Sequence, residues 1–202
     1  MAIDKNPLQL NPDFTYALDL LEKTEKSLFI TGRAGTGKST LLRLFQQTSK
    51  KKMAVLAPTG VAALNVGGQT IHSFFGFAPR LLTSKDIKKA TKPRLFQNLQ
   101  TLIIDEISMV RADVLDAIDY YLKFNRGNPT PFGGVQLVMI GDLFQLPPVM
   151  SQDPLERQFF ASYYESPHFF SAKIMADPDF DCEMLELRQI FRQDNRRFID
   201  LL

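Results

Sequence analysis

Five short runs of apolar residues punctuate the chain: Ser27 to Thr31, Met53 to Ala57, Thr101 to Ile104, Gln136 to Ile140 and, less cleanly, Cys182 to Leu187. They end near glycine, threonine, aspartate or proline and give way to segments whose apolar residues return at helical spacing. A run that is apolar at nearly every position has both faces covered, as in parallel strands packed between helices. The helical periods fall at Phe14 to Glu22, Ser39 to Gln47 and Ala112 to Lys123. Together they predict an α/β chain: a three-layer sandwich with a mainly parallel central sheet.

The stretch from Met150 to Asp181 breaks this rhythm and carries Phe159, Phe160, Tyr163, Tyr164, Phe169 and Phe170 between proline-bounded turns. It is expected to form short helices inserted before the last strand, with its aromatics in the core. Lys50-Lys51-Lys52 is expected to be a solvated helix end, where cations suit the helix dipole. Near the C-terminus an apolar pattern begins at Phe198 and Ile199 and runs into Leu201 and Leu202 without a terminator, so the natural polypeptide is expected to continue.

Composition narrows the class only slightly. With 202 residues, 45% hydrophobic and 23% charged, the chain has material for one globular domain. A formal charge of only +2 means that any nucleic-acid surface must come from local placement of Lys and Arg. The single cysteine, Cys182, has no partner for an internal disulfide, and with His72 and His168 it makes no zinc-like spacing. A reducing, cytoplasmic setting and a monomer without a membrane anchor are expected.

Gly32-Arg33-Ala34-Gly35-Thr36-Gly37-Lys38-Ser39 fits the Walker A pattern in full, directly after an apolar strand and at the start of a helix. Glycines let such a loop fold tightly enough for backbone N–H groups and the positive helix end to face phosphates. Gly32, Gly35, Thr36, Gly37, Lys38, Ser39 and Thr40 are therefore the candidate set for binding a nucleoside triphosphate. Lys38 would reach the β- and γ-phosphates and the Ser39 hydroxyl would ligate Mg2+.

Thr101-Leu102-Ile103-Ile104-Asp105-Glu106 carries two carboxylates out of a strand end, the edge where parallel sheets place ligands. Asp105 would hold the metal through a water, and Glu106 would take a proton from the attacking water. After the next strand, Gly141 to Pro148 contains Gln145, whose amide would face the γ-phosphate or that water.

The order of these elements resembles superfamily-one helicases, and their detailed wording resembles the petite-integration-frequency (Pif) family of DNA helicases. The resemblance rests on the Walker A loop, Ala57-Pro58-Thr59-Gly60-Val61-Ala62-Ala63, Gln69-Thr70-Ile71-His72-Ser73-Phe74, Asp105-Glu106-Ile107-Ser108-Met109, Phe132-Gly133-Gly134, Gly141 to Pro148, and Leu187-Arg188-Gln189-Ile190-Phe191-Arg192-Gln193. It implies a RecA-like P-loop ATPase fold and movement along single-stranded DNA from five-prime to three-prime, in replication, repair or recombination. By the same resemblance Thr59 would grip the strand's phosphate backbone, Thr70, His72 and Phe74 would contact DNA, and Arg192 would stabilise charge at the γ-phosphate. Packing beneath a loop is the alternative for His72 and Phe74.

Two departures stand out. Family members carry an N-terminal Leu-Asn-x-x-Gln pattern whose glutamine reads adenine, whereas here Leu10-Asn11-Pro12-Asp13 is followed by Phe14. Either Gln9 substitutes or Phe14 packs on the base. These motors also use two RecA-like domains, and only the first is expected in this chain. Alone it should bind nucleotide, hydrolyse it poorly and unwind nothing. A nucleotide-dependent DNA-binding module is one alternative. A GTPase-like switch is another: Ser171-Ala172-Lys173 is similar to a guanine-site loop, although the Asn-Lys-x-Asp segment is missing.

Overall fold

Among the described residues six strands lie side by side, and every pairing between them is parallel. The structure is a computed structural model that describes residues 12–189. In chain order the strands are β1 (Ser27–Gly32), β2 (Met53–Ala57), β3 (Gln69–Thr70), β4 (Thr101–Ile104), β5 (Gln136–Ile140) and β6 (Cys182–Leu187), arranged β3-β2-β4-β5-β1-β6. All five expected strands form within a residue of their predicted bounds. The two-residue β3 is too short to leave a periodic signal and is held by its register on β2, Leu56 opposite Gln69 and Ala57 opposite Thr70.

Side chains alternate across a strand, so each run serves two cores. Leu28, Ile30, Ile103, Val138 and Ile140 point to a face covered by α1 (Pro12–Lys23) and α2 (Lys38–Thr48), where Phe14, Leu21, Leu41 and Phe45 meet them. Phe29, Leu102, Ile104, Leu137 and Met139 point to the opposite face, covered chiefly by α6 (Ala112–Arg126). The short helices α3 (Gly60–Asn65), α4 (Ile71–Phe75) and α5 (Pro93–Asn98) fill the connections from β2 to β4. Burial of both faces is why the strands read as continuous apolar runs.

The insertion forms α7 (Pro154–Tyr163) and two 3-10 turns, Phe169–Ser171 and Lys173–Ala176. Phe160, Tyr164 and Phe169 are buried as expected and Phe159 packs at the margin, but Tyr163 and Phe170 are about half exposed, at 46% and 49%. The lysine run also differs from expectation. Lys51 is partly buried, and its Nζ donates to Leu21 O (2.5 Å), Thr24 O (2.6 Å) and Gln136 Oε1 (2.9 Å). Its charge thus serves the carbonyls at the end of α1 rather than those of its own neighbouring helix.

Three buried carboxylates at three-residue spacing on α6 hold the loops of this face. Asp113 accepts from Leu82 N (2.9 Å) and from Arg111 Nε (2.8 Å) and Nη2 (2.6 Å). Asp116 accepts from Tyr164 Oη, Lys173 N and Ile174 N at 2.9 to 3.0 Å. Asp119 accepts from Phe132 N (2.7 Å) and pairs with Lys123. This last contact explains the Phe132-Gly133-Gly134 segment structurally. Gly133 has φ +61°, and a Cβ there would stand 2.8 Å from Leu122 O, so the turn seats on α6 only without a side chain.

Asp116→Ala would leave three donors without their acceptor, and unsatisfied buried donors cost about 1 to 3 kcal/mol each before relaxation. We expect a loss of about 3 kcal/mol in urea unfolding with an unchanged denaturant slope. A loss below about 1 kcal/mol would show that water replaces the carboxylate and that Asp116 does not anchor the insertion.

Candidate nucleotide and strand site

The loop between β1 and α2 wraps the start of α2. Gly37 caps that helix in the left-handed region, at φ 86°. Gly32 passes so close to β6 that a Cβ would lie 2.6 Å from Leu187 O and 2.7 Å from Thr36 Oγ1. Thr36 and Thr40 are buried, and the Thr36 hydroxyl donates to Arg33 O (2.8 Å), stapling the loop. Ser39 stays exposed in the first turn, where its hydroxyl is open to a ligand. Lys38 Nζ donates to Gly32 O (2.6 Å) and Arg33 O (3.2 Å), so the ammonium lies across the mouth of the loop.

Strand order brings the other groups to it. Because β5 lies between β1 and β4, the loop after β5 sits between the phosphate loop and the carboxylates that follow β4. Burial lowers the Lys38 pKa below its usual value, while Asp142, Glu106 and Asp105 all pull it back up, which places four groups in one electrostatic neighbourhood. Burial raises the Asp105 carboxyl to about 6 against a backbone hydrogen bond that favours its charge; Glu106 adds to the rise and Lys38 opposes it. Glu106 itself takes a left-handed backbone, φ 51° and ψ 44°, at the head of the 3-10 turn Ile107–Met109. A non-glycine residue held there stores strain of about 1 kcal/mol or more, a feature that clusters at functional sites.

Gln145 is exposed, and its Nε2 donates to Asp142 Oδ2 (3.3 Å). Asp142 is nearly buried, at 7%, and also accepts from Phe144 N (3.0 Å). Sequence reasoning singled out Gln145 and passed over Asp142, although the Gly141-Asp142 pair at a strand end repeats the placement of Asp105. Arg192 and Gln9 lie outside the described residues. Phe14, the other candidate for the adenine base, is 3% exposed within the α1–α2 core, so burial removes it from that role.

The candidate strand residues gather on the neighbouring loops. Thr59 caps α3, accepting from Ala62 N (3.2 Å), and Thr70 caps α4, accepting from Ser73 N (3.2 Å); each hydroxyl proton remains to donate. Thr59 and His72 share the wall of a cavity of about 230 Å3. Burial, and behind it the Arg111 charge, hold His72 below the usual imidazole pKa against the pull of Asp113, so the ring is neutral at physiological pH. Phe74 is turned the other way. Its ring meets Phe75 and Phe96 edge-on at 4.9 and 5.2 Å, and its remaining surface lines a separate groove with Lys88, Lys89 and Lys92. Ser171 to Lys173 packs against α6, with Lys173 Nζ over the Tyr163 and Tyr164 rings.

These elements define a P-loop nucleotide-binding domain of the RecA-like α/β class. The chain belongs to the PIF1-like helicase family, whose model matches residues 13–199. It is 39% identical to the ATP-dependent DNA helicase PIF1 of Saccharomyces cerevisiae, over 98% of this chain and 23% of that protein, and 38% identical to the human ATP-dependent DNA helicase PIF1, over 88% and 26%. The crystal structure of Pif1 helicase from Bacteroides in complex with ADP-AlF3 and ssDNA is similar at a TM-score of 0.83 and 40% identity, over 96% of this chain and 45% of that one. The chain thus spans about a quarter of the length of these curated relatives and under half of the solved one.

The raised Asp105 pKa carries a sign that can be measured. Its folded value of about 6 exceeds the ordinary 3.8, so the folded state holds the extra proton between those values. The group's contribution to stability is then best below about pH 4 and is lost as pH rises through 6. Without metal, Asp105→Asn should stabilise the fold by about 2 kcal/mol near neutral pH, discounted from the full linkage value because the carboxyl is partly open to water. Thermal melts in chelator should show that gain vanishing near pH 4. An equal gain at both pH values would mean that shape, not charge, sets it.

Proposed function

We propose that this chain is the first RecA-like motor domain of an ATP-dependent DNA helicase that moves five-prime to three-prime on single-stranded DNA. The observation that carries the proposal is the convergence of Lys38, Asp105, Glu106 and Asp142 on one sheet edge, beside a cavity walled by Thr59 and His72. A lone ammonium set among three carboxylates suits a phosphate chain that arrives with a divalent cation. Ser39 and Asp105 would hold that cation, and when bound it would neutralise phosphate charge.

Each residue then has a role. The phosphate-loop amides and Lys38 hold the triphosphate, and Ser39 and Asp105 hold magnesium, Asp105 through a water. Glu106 accepts the proton of the attacking water, while Gln145 and Asp142 orient it. Arg192 is proposed at the γ-phosphate by resemblance. Thr59 and Thr70 donate to strand phosphates, and His72 faces a base. Relatives described as bound to ssDNA support the choice of strand. A second RecA-like domain completes the ATP cleft, and the protein works where DNA is kept, in replication, repair or recombination, as a monomer.

Titration with a fluorescent ATP analogue and magnesium, with and without oligo-dT, tests this reading. Lys38→Ala should weaken nucleotide binding by about tenfold or more, the scale of a lost charge-assisted hydrogen bond. Glu106→Gln should keep nucleotide affinity and slow phosphate release by about a hundredfold. His72→Ala should weaken oligo-dT binding alone. If Glu106→Gln leaves a measurable release rate untouched, the nucleotide is a structural ligand of a DNA-binding module instead.

A further inference from the structure

The cavity beside Thr59 has features that backbone binding does not use. Its walls are largely apolar, built from Pro58, Ile71, Met109, Val110 and Val114 with Val149 at the exposed rim, while Thr59, His72, Arg80 and Arg111 bring polar groups to it. A phosphate needs no apolar chamber, and a purely structural gap needs no polar groups. At about 230 Å3 it falls below the roughly 300 Å3 at which pockets for drug-sized ligands begin. It has room for one flat ring system and not for a whole nucleotide.

Arg111 is the most constrained of these groups. Asp113 holds its Nε and Nη2, Arg80 O takes a further bond from Nη2, and the Phe160 ring lies 5.5 Å from the guanidinium carbon. The side chain is only 14% exposed, and Phe160 is not part of the cavity wall. A guanidinium fixed in this way presents a rigid plane and donors at little entropic cost, which suits stacking on or hydrogen bonding to a nucleobase. His72, held neutral, offers one donor and one acceptor.

We propose that this cavity receives a single nucleobase of the bound strand, turned out of the stack, and that Arg111 is a residue that positions it. The inference rests on the strand-binding reading above and adds to it a base subsite. The walls match a base in kind: proline, isoleucine, valine and methionine cover its faces, and Thr59 stands where the adjoining phosphate would lie. The subsite also adjoins the nucleotide machinery. Met109 lines the cavity and donates its N–H to Glu106 O (3.0 Å), so the base rests on the turn that begins at Glu106.

The test uses the full chain and short oligo-dT strands in which each position in turn lacks its base, read by fluorescence anisotropy. The intact strand reports strand binding itself, so its failure to bind would refute the earlier reading rather than this one. One position should cost about tenfold in affinity when its base is removed, within the range for a base seated on a protein surface, and the others little. Val149 is 78% exposed at the cavity, so Val149→Trp can narrow it without disturbing the core. In that variant the penalty for the missing base should shrink toward nothing. Strand binding with no sensitive position, or a penalty that Val149→Trp leaves unchanged, would overturn the base subsite.

Discussion

A parallel sheet imposes one constraint from which the rest of this molecule follows: every strand must hand the chain to a loop at the same edge. Here that edge receives Lys38 from β1, Asp105 and Glu106 from β4, and Asp142 with Gln145 from β5. The order of the strands decides which groups meet, and placing β5 between β1 and β4 puts Asp142 between the ammonium and the other carboxylates. Burial raises the Asp105 carboxyl to about 6; the Glu106 charge adds to the rise, while a backbone hydrogen bond and Lys38 oppose it. Such a site is poised for a ligand that carries positive charge in with it.

The same constraint leaves α6 with a second task. The insertion, the turn at Phe132 and the loop at Leu82 are each held by one buried carboxylate of that helix. Buried carboxylates are costly to desolvate, and here the cost is offset because every one of them accepts from several donors. Asp113 reaches further, because it also fixes Arg111 and faces His72. One side chain of α6 thus ties the Leu82 loop to Arg111 at the cavity wall.

Much of the candidate site was legible early. The glycine spacing of Gly32 to Lys38 and the acids behind an apolar run are local patterns, and the conformations they require are local as well. Misread positions were those whose partners lie far off in sequence. Lys51 looked like a solvated helix end because its neighbours are lysines, and only the fold brings Leu21, Thr24 and Gln136 to it. Phe14 was open as a base platform until α2 covered it. Asp142 gave no signal apart from following a strand.

The sequence by itself determined every strand but the short β3, the phosphate loop and the class of fold, because apolar period and glycine geometry act within a few residues. It could not determine that β5 lies between β1 and β4, that Phe74 faces away from His72, or that Arg111 is pinned beneath Phe160 at the wall of a cavity. An apolar run has the same period in any sheet order. Tertiary structure alone decides those matters, because they depend on which buried faces and unpaired polar groups satisfy one another across the whole chain.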